Sequence, residues 1–245
     1  MSNVLSDDDH RQLVLAENIC NLFCDLGPST YDEIAPKIEY WIEFALTEYF
    51  TTTSDLAERV SPVAWDARGT HSDISRFLKE FHDAPHRSGR IKSFVDELCL
   101  HIVRWFAAAS TEDLWEKWHI GLVSKRGGPG FMRAASFVGH LIECGLLSHE
   151  RSELVHRFIF KPLTARFYNK EIYKKQSITA TAIYQLFTAA GNTLLQGLLE
   201  PEVVQDCLKI LETRILLGEV LGLDQFERTR LNVLCYSRPG VCIGT

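Results

Sequence analysis

No run of apolar residues in this 245-residue chain reaches the roughly 18 needed to cross a bilayer, which argues against a spanning segment. Strand signals are nearly absent, because apolar residues recur at helical spacing and hardly anywhere in strict alternation. There is no excess of positive charge: 26 Lys and Arg stand against 32 Asp and Glu, a formal net charge of −6. That argues against a protein whose main affinity comes from neutralising phosphates, while leaving room for a local basic patch. The opening MSNVLSDDDH is acidic and lacks the basic-then-apolar order of a secretory leader. Cysteines number only 7, at positions 20, 24, 99, 144, 207, 235 and 242. An odd set, mostly embedded in helical apolar faces, fits reduced core thiols in a cytoplasmic protein, with the nucleus as the alternative.

Signs of chemistry are equally sparse. KRGGPG is rich in glycine but lacks the Gly-Lys-Ser/Thr ending and the preceding strand of a phosphate loop. Cys20 with Cys24, and His82 with His86, have the i, i+4 spacing of two metal ligands on a helix, but neither pair has a second pair or a general-base Glu nearby. No Ser, His and Asp set or carboxylate pair stands out in context. The expectation is a non-enzyme without cofactor or metal.

What the sequence does contain is helical periodicity. A mixed amphipathic segment over 12–26 stops at Gly27-Pro28, and Ser29 reads as the next N-cap, with Asp32 three residues on. Ile34, Ile38, Ile42, Ala45, Leu46 and Tyr49 then continue one face to about Phe50. Residues 51–72 are weaker, with breaks at Ser61-Pro62 and Arg68-Gly69; a short helix follows over 73–82, then a loop over 83–89. Val95, Leu98, Cys99, Ile102, Val103 and Phe106 make a clean stripe. RGGPG is the clearest breaker in the chain. Beyond it, RAASFVGHLIECGLLS places Ala134, Phe137, Val138, Leu141, Ile142 and Gly145 on one helical face. Gly145 sits where a left-handed residue would end the helix. Gly139 costs about 1 kcal/mol in mid-helix against Ala, a cost tolerated where another backbone must come close.

The helices pair across short connections: 95–109 with 111–124, 132–146 with 152–168, and 180–196 with 201–217. Pairs of roughly 30 to 45 residues suit stacked helical hairpins of the HEAT or armadillo kind. The expected fold is therefore all-α, an α-solenoid of antiparallel hairpins. Its domain layout is an N-terminal segment over 1–17, one solenoid over 18–222, and a last helix with a loose tail over 223–245. One basic cluster interrupts the acidic whole. Lys161, Arg166, Lys170, Lys174 and Lys175 are interleaved with Phe167, Tyr168 and Tyr173. Charge plus stacking rings is how single-stranded RNA is held without reading sequence. The alternative is a solvated face whose aromatics turn into the next repeat.

FVGHLIECGLLS resembles the F-I-G-E-L…G-M-L-T signature of the middle domain of eukaryotic initiation factor 4 gamma, a HEAT-type translation scaffold. Three further stretches resemble the family's motifs in the right order. LFCDLGPSTYDEIAPKI is similar to L-N-K-L-T-P-x-x-F-D-x-I; IVRWFAAASTEDLWEKWHIGL to I-F-E-K-A-x-x-E-P-x-F…Y-A-x-L; AIYQLFTAAGNTLL to L-C-x-L-L-T-T-I-G-K. The set covers about residues 18–217. Departures accompany it: the L-L-N-R-C-Q-x-E-F helix is missing, 56–89 reads as an insertion (near 51–90 in the layout above), and Ala107, Ala108 and Glu112-Asp113 replace the E-K-A and E-P elements.

The resemblance implies a scaffold that grips both lobes of a DEAD-box RNA helicase and raises its ATP turnover. Carried over by position, the helicase-contacting apolar residues fall on Phe23, Leu26 and Tyr31, with core packing of the first repeat as the other role for them. RNA contact through the 161–175 segment is the secondary role. Two rival readings are a scaffold of another mRNA-metabolism complex, in decay or nuclear cap binding, and an all-α small-GTPase regulator.

Overall fold

A computed structural model describes residues 6–64, 71–85, 88–109, 130–147 and 173–191, with 157, 160–161, 202, 205–207 and 209–211. Among them the regular elements are all helices, with no strand. They are α1 (Asp7–Asp25), α2 (Tyr31–Glu48), α3 (Thr53–Ala64), α4 (His71–Asp83), α5 (Gly89–Ala109), α6 (Gly130–Glu143) and α7 (Tyr173–Ala190). No described helix is long and apolar enough to cross a membrane. The expected helices over 111–124 and 224–234 lie outside the described residues, as do most of 152–168 and 201–217.

Helix α1 begins earlier than the expected boundary at residue 17. Ser6 is its N-cap: the hydroxyl accepts from the Asp9 amide at 3.1 Å and donates to the Asp9 carboxylate at 2.8 Å. Asp7, Asp8 and Asp9 then set negative charge against the positive end of the helix dipole. The acidic run at Asp7–Asp9 is thus a helix-starting signal, and the described residues 7–17 are continuous with the rest of α1. Leu15 and Ala16 already belong to the core.

Helix α2 starts one residue later than Ser29 implied. Its N-cap is Thr30, whose hydroxyl turns back instead of capping: it accepts from the Gly27 amide at 3.0 Å and donates to the Asp25 carbonyl at 2.6 Å. That ties the α1–α2 turn to the last residue of α1.

Within 51–90, the described helices α3 and α4 contribute to the core. Leu56, Ala57 and Val60 of α3, and Ile74, Phe77, Leu78 and Phe81 of α4, are all buried in the common core. Helix α3 also runs through the expected break at Ser61-Pro62. Pro62 has no N–H for the Glu58 carbonyl four residues back, and the Ser61 hydroxyl donates to that same carbonyl at 3.0 Å. A neighbouring side chain satisfies the acceptor that proline orphans, so the helix continues.

The helices meet in an alternating order. α1 packs on α3 and α3 on α5; α2 packs on α4 and α4 on α6; α1 with α2, α4 with α5, and α5 with α6 join across. The most extensive contact is α6 on α7. It closes at Gly139, where an added Cβ would lie 2.6 Å from the Ala189 Cβ and 2.6 Å from the Leu186 carbonyl oxygen. The close approach expected at this glycine is present, and α7 is its neighbour. Gly145 has φ +79, with Leu146 N–H bonded to the Leu141 carbonyl and Gly145 N–H to Ile142, both at 3.0 Å. This is a Schellman C-cap, and Leu141 and Leu146 supply its apolar contact from the core. Helix α7 ends at Ala190, short of the expected 196, with Gly191 at φ +56.

Candidate functional site

The α1–α2 junction carries the three residues assigned to a helicase contact. Phe23 and Leu26 are 0% exposed and Tyr31 is 8% exposed. Of the two roles expected for them, a helicase contact or core packing, their side chains occupy the core, with α4 against Phe23 and Tyr31. Phe23 meets Phe77 of α4 edge to face, 5.9 Å between ring centroids, and Phe77 stacks on Phe81 at 5.4 Å. As side chains these residues form core and not a surface patch. Removing a buried Phe side chain costs about 3–5 kcal/mol of stability, so Phe23→Ala would report folding before it reported binding.

Tyr31 does reach a polar edge. Its hydroxyl donates to Glu80 at 2.6 Å, Arg76 donates to the other carboxylate oxygen at 2.8 Å, and the Arg76 guanidinium lies 4.3 Å from the centre of the Tyr31 ring. Burial, then the bond to Glu80, pushes the Tyr31 hydroxyl above its ordinary range. Burial alone would raise Glu80; the bonds from Tyr31 and Arg76, with the Arg76 charge, outweigh it and hold the carboxyl below its usual value. The three side chains clamp α2 to α4. What the junction presents to solvent is the turn itself, at Asp25, Pro28 and Ser29.

The basic cluster is only partly described. Lys161 is exposed, the backbone of Lys174 and Lys175 lies in the first turn of α7, and Arg166 and Lys170 fall outside the described residues. Next to Lys161, Phe160 is buried and packs edge to face on Phe187 of α7, 6.0 Å between centroids. At least one aromatic of this region therefore turns inward.

Of the candidate metal pairs, Cys20 is a core thiol. It donates to the Val60 carbonyl of α3 at 3.8 Å, and burial pushes its pKa up to about 12, which leaves it a poor ligand and nucleophile. His82 bonds Asp83 at 2.9 Å and approaches Asp96 at 3.6 Å, while His86 lies outside the described residues. No group of three or more potential metal-binding side chains assembles among the described residues.

Two arrangements escaped the sequence reading. One is a polar seam between α3 and α5: Thr53 with Ser93 at 3.2 Å, Ser54 with His101 Nε2 at 3.1 Å, and Ser54 to Glu97 at 3.4 Å. Arg90 extends it by donating to the Phe50 carbonyl at 2.6 Å. A serine beside an imidazole invites comparison with nucleophilic catalysis. Here, however, the carboxylate reaches the same serine hydroxyl, and the pair's evident role is to fix the two helices in register. Ser93, Glu97 and His101 fall at i, i+4 and i+8, a signal the sequence did carry.

The other is an aromatic group on the outer face of α2. Tyr40 is 60% exposed, and Trp41, Phe44 and Tyr49 are half-buried around it. The Tyr40 and Phe44 rings are nearly parallel, 6.0 Å apart at 8°, and Trp41 stands edge-on to both at 5.6 and 5.8 Å. Tyr40 and Phe44 are one turn apart and opposite the Ile34, Ile38 and Ile42 stripe, so their position was also readable from spacing.

No family model, curated protein or solved structure matches the chain.

Proposed function

We propose that the chain is a non-catalytic, translation-initiation-type scaffold: a HEAT-like solenoid that binds a DEAD-box RNA helicase and, through the 161–175 segment, RNA. The observation that carries the reading is Gly139. The stretch most similar to the initiation-factor signature is the one whose glycine leaves room for the next described helix, where an added Cβ would lie 2.6 Å from the Leu186 carbonyl oxygen. The alternating contacts α1–α3–α5 and α2–α4–α6 also support a solenoid, in which each hairpin buries its face on the next. The partner half of the reading leans on the order of the four motifs alone.

With Phe23, Leu26 and Tyr31 beneath the surface, the helicase contact is assigned to the turn they support, at Asp25, Pro28 and Ser29. The test is co-elution of the purified chain with an initiation-type DEAD-box helicase, and the helicase's ATP turnover in its presence. Association with faster turnover, weakened by Ser29→Arg, is the expected result. A folded wild-type chain that neither associates with the helicase nor speeds its turnover would overturn the helicase reading.

A further inference from the structure

Helix α2 faces water with rings where polar side chains are expected. The Tyr40, Trp41, Phe44 and Tyr49 rings brace one another, the last edge-on to Phe44 at 5.6 Å, and Tyr40 remains largely exposed. The same helix carries Asp32, Glu33, Glu39, Glu43 and Glu48 against one lysine, Lys37, which is held by Glu33 at 2.7 Å. Helical spacing puts Glu43 one turn from Tyr40 and Glu48 one turn beyond Phe44.

A ring face attracts cations, and neighbouring carboxylates deepen that preference. Arginine suits such a surface better than lysine, because a planar guanidinium can lie on a ring and still pair with a carboxylate. A phosphate-bearing ligand would meet like charge here. We infer that the outer face of α2 docks an arginine-bearing basic peptide segment of a partner protein. Its guanidinium groups stack on Tyr40 and Phe44 and pair with Glu48. Leu13 and Val14 of α1, each 42% exposed, are apolar side chains one and two residues beyond Gln12. The neighbouring Gln12 donates to the Tyr49 carbonyl at 2.8 Å and so brings this part of α1 to the end of the aromatic group.

The site stands apart from the helicase reading and is tested without a helicase. Fluorescein-labelled nona-arginine and nona-lysine are titrated with the full chain, and anisotropy is read at physiological salt. Nona-arginine should bind more tightly than nona-lysine. Tyr40→Ala with Phe44→Ala, which changes no charge, should weaken the arginine peptide about tenfold, as loss of two exposed cation–π contacts implies. Tyr40→Ala alone gives a smaller loss of the same sign and guards against a folding defect in the pair. Glu48→Gln should weaken both peptides.

Equal affinity for the two peptides, or an unchanged affinity in the folded double variant, overturns the proposal. So does a wild-type dimer that Tyr40→Ala dissociates, which would make a second copy the occupant. Binding of a labelled oligouridine that the double variant abolishes would give the face to nucleic acid instead.

Discussion

Gly139 joins a local cost to a tertiary requirement in one residue. Alanine there would improve helix propensity by about 1 kcal/mol, yet its Cβ would meet a backbone carbonyl that cannot rotate away. Gly139→Ala should therefore lower stability by about 1–3 kcal/mol, and Gly139→Leu by more. Urea unfolding measures both, and an unchanged midpoint for the alanine variant would mean that α6 and α7 do not approach as described. Gly145 fails for a different reason. An added Cβ would make only ordinary contact there, 4.0 Å from the Lys79 Nζ, but φ +79 disfavours any Cβ, so Gly145→Ala should cost about 1–2 kcal/mol. Both glycines were legible from spacing, since one interrupts an apolar face and the other follows it. Phe23, Leu26 and Tyr31 were not: an apolar residue beside a Gly-Pro break has the same letter whether a partner or the chain's own α4 covers it. Glu80 adds a dependence on acid. Its carboxyl is held below its ordinary value in the fold, so its contribution is present above the unfolded value and lost as pH falls through the folded one. Between about pH 6 and about pH 3 the melting temperature of Glu80→Gln should fall less than that of the wild type.

At the scale of elements, the strongest stripes were read well. α5 contains the stripe from Val95 to Phe106, and α6 covers most of the segment that bears the family resemblance. Two errors have local causes. The Ser61-Pro62 pair reads as a break, because proline orphans a carbonyl; the serine beside it repairs that carbonyl, and no periodicity reveals the repair. The Ser6-to-Asp9 spacing is a capping signal that a search for leader sequences passes over. Segment 56–89 also contributes to the core, since α3 packs on both α1 and α5 and its Val60 carbonyl accepts from Cys20. Excising residues 53–83 should therefore abolish cooperative unfolding, not leave a trimmed scaffold. Circular dichroism of that deletion, heated beside the intact chain, decides the matter. A sharp transition would show that α3 and α4 are dispensable to the fold.

Across the whole molecule, the main helix contacts join described helices that are neighbours or next-but-one neighbours in order. Architecture of this kind has a kinetic consequence. Segments close in sequence find one another without closing long loops, and chains dominated by such encounters fold orders of magnitude faster than those built on distant pairings. It also permits opening in stages, because α1, whose main contacts are with α2 and α3, can leave while the other described helices keep theirs. Amide exchange should thus be graded along the described helices, slowest in α3, α4, α5 and α6, which have packed helices on both sides, and faster in α1, whose N-terminal turn rests on a serine hydroxyl.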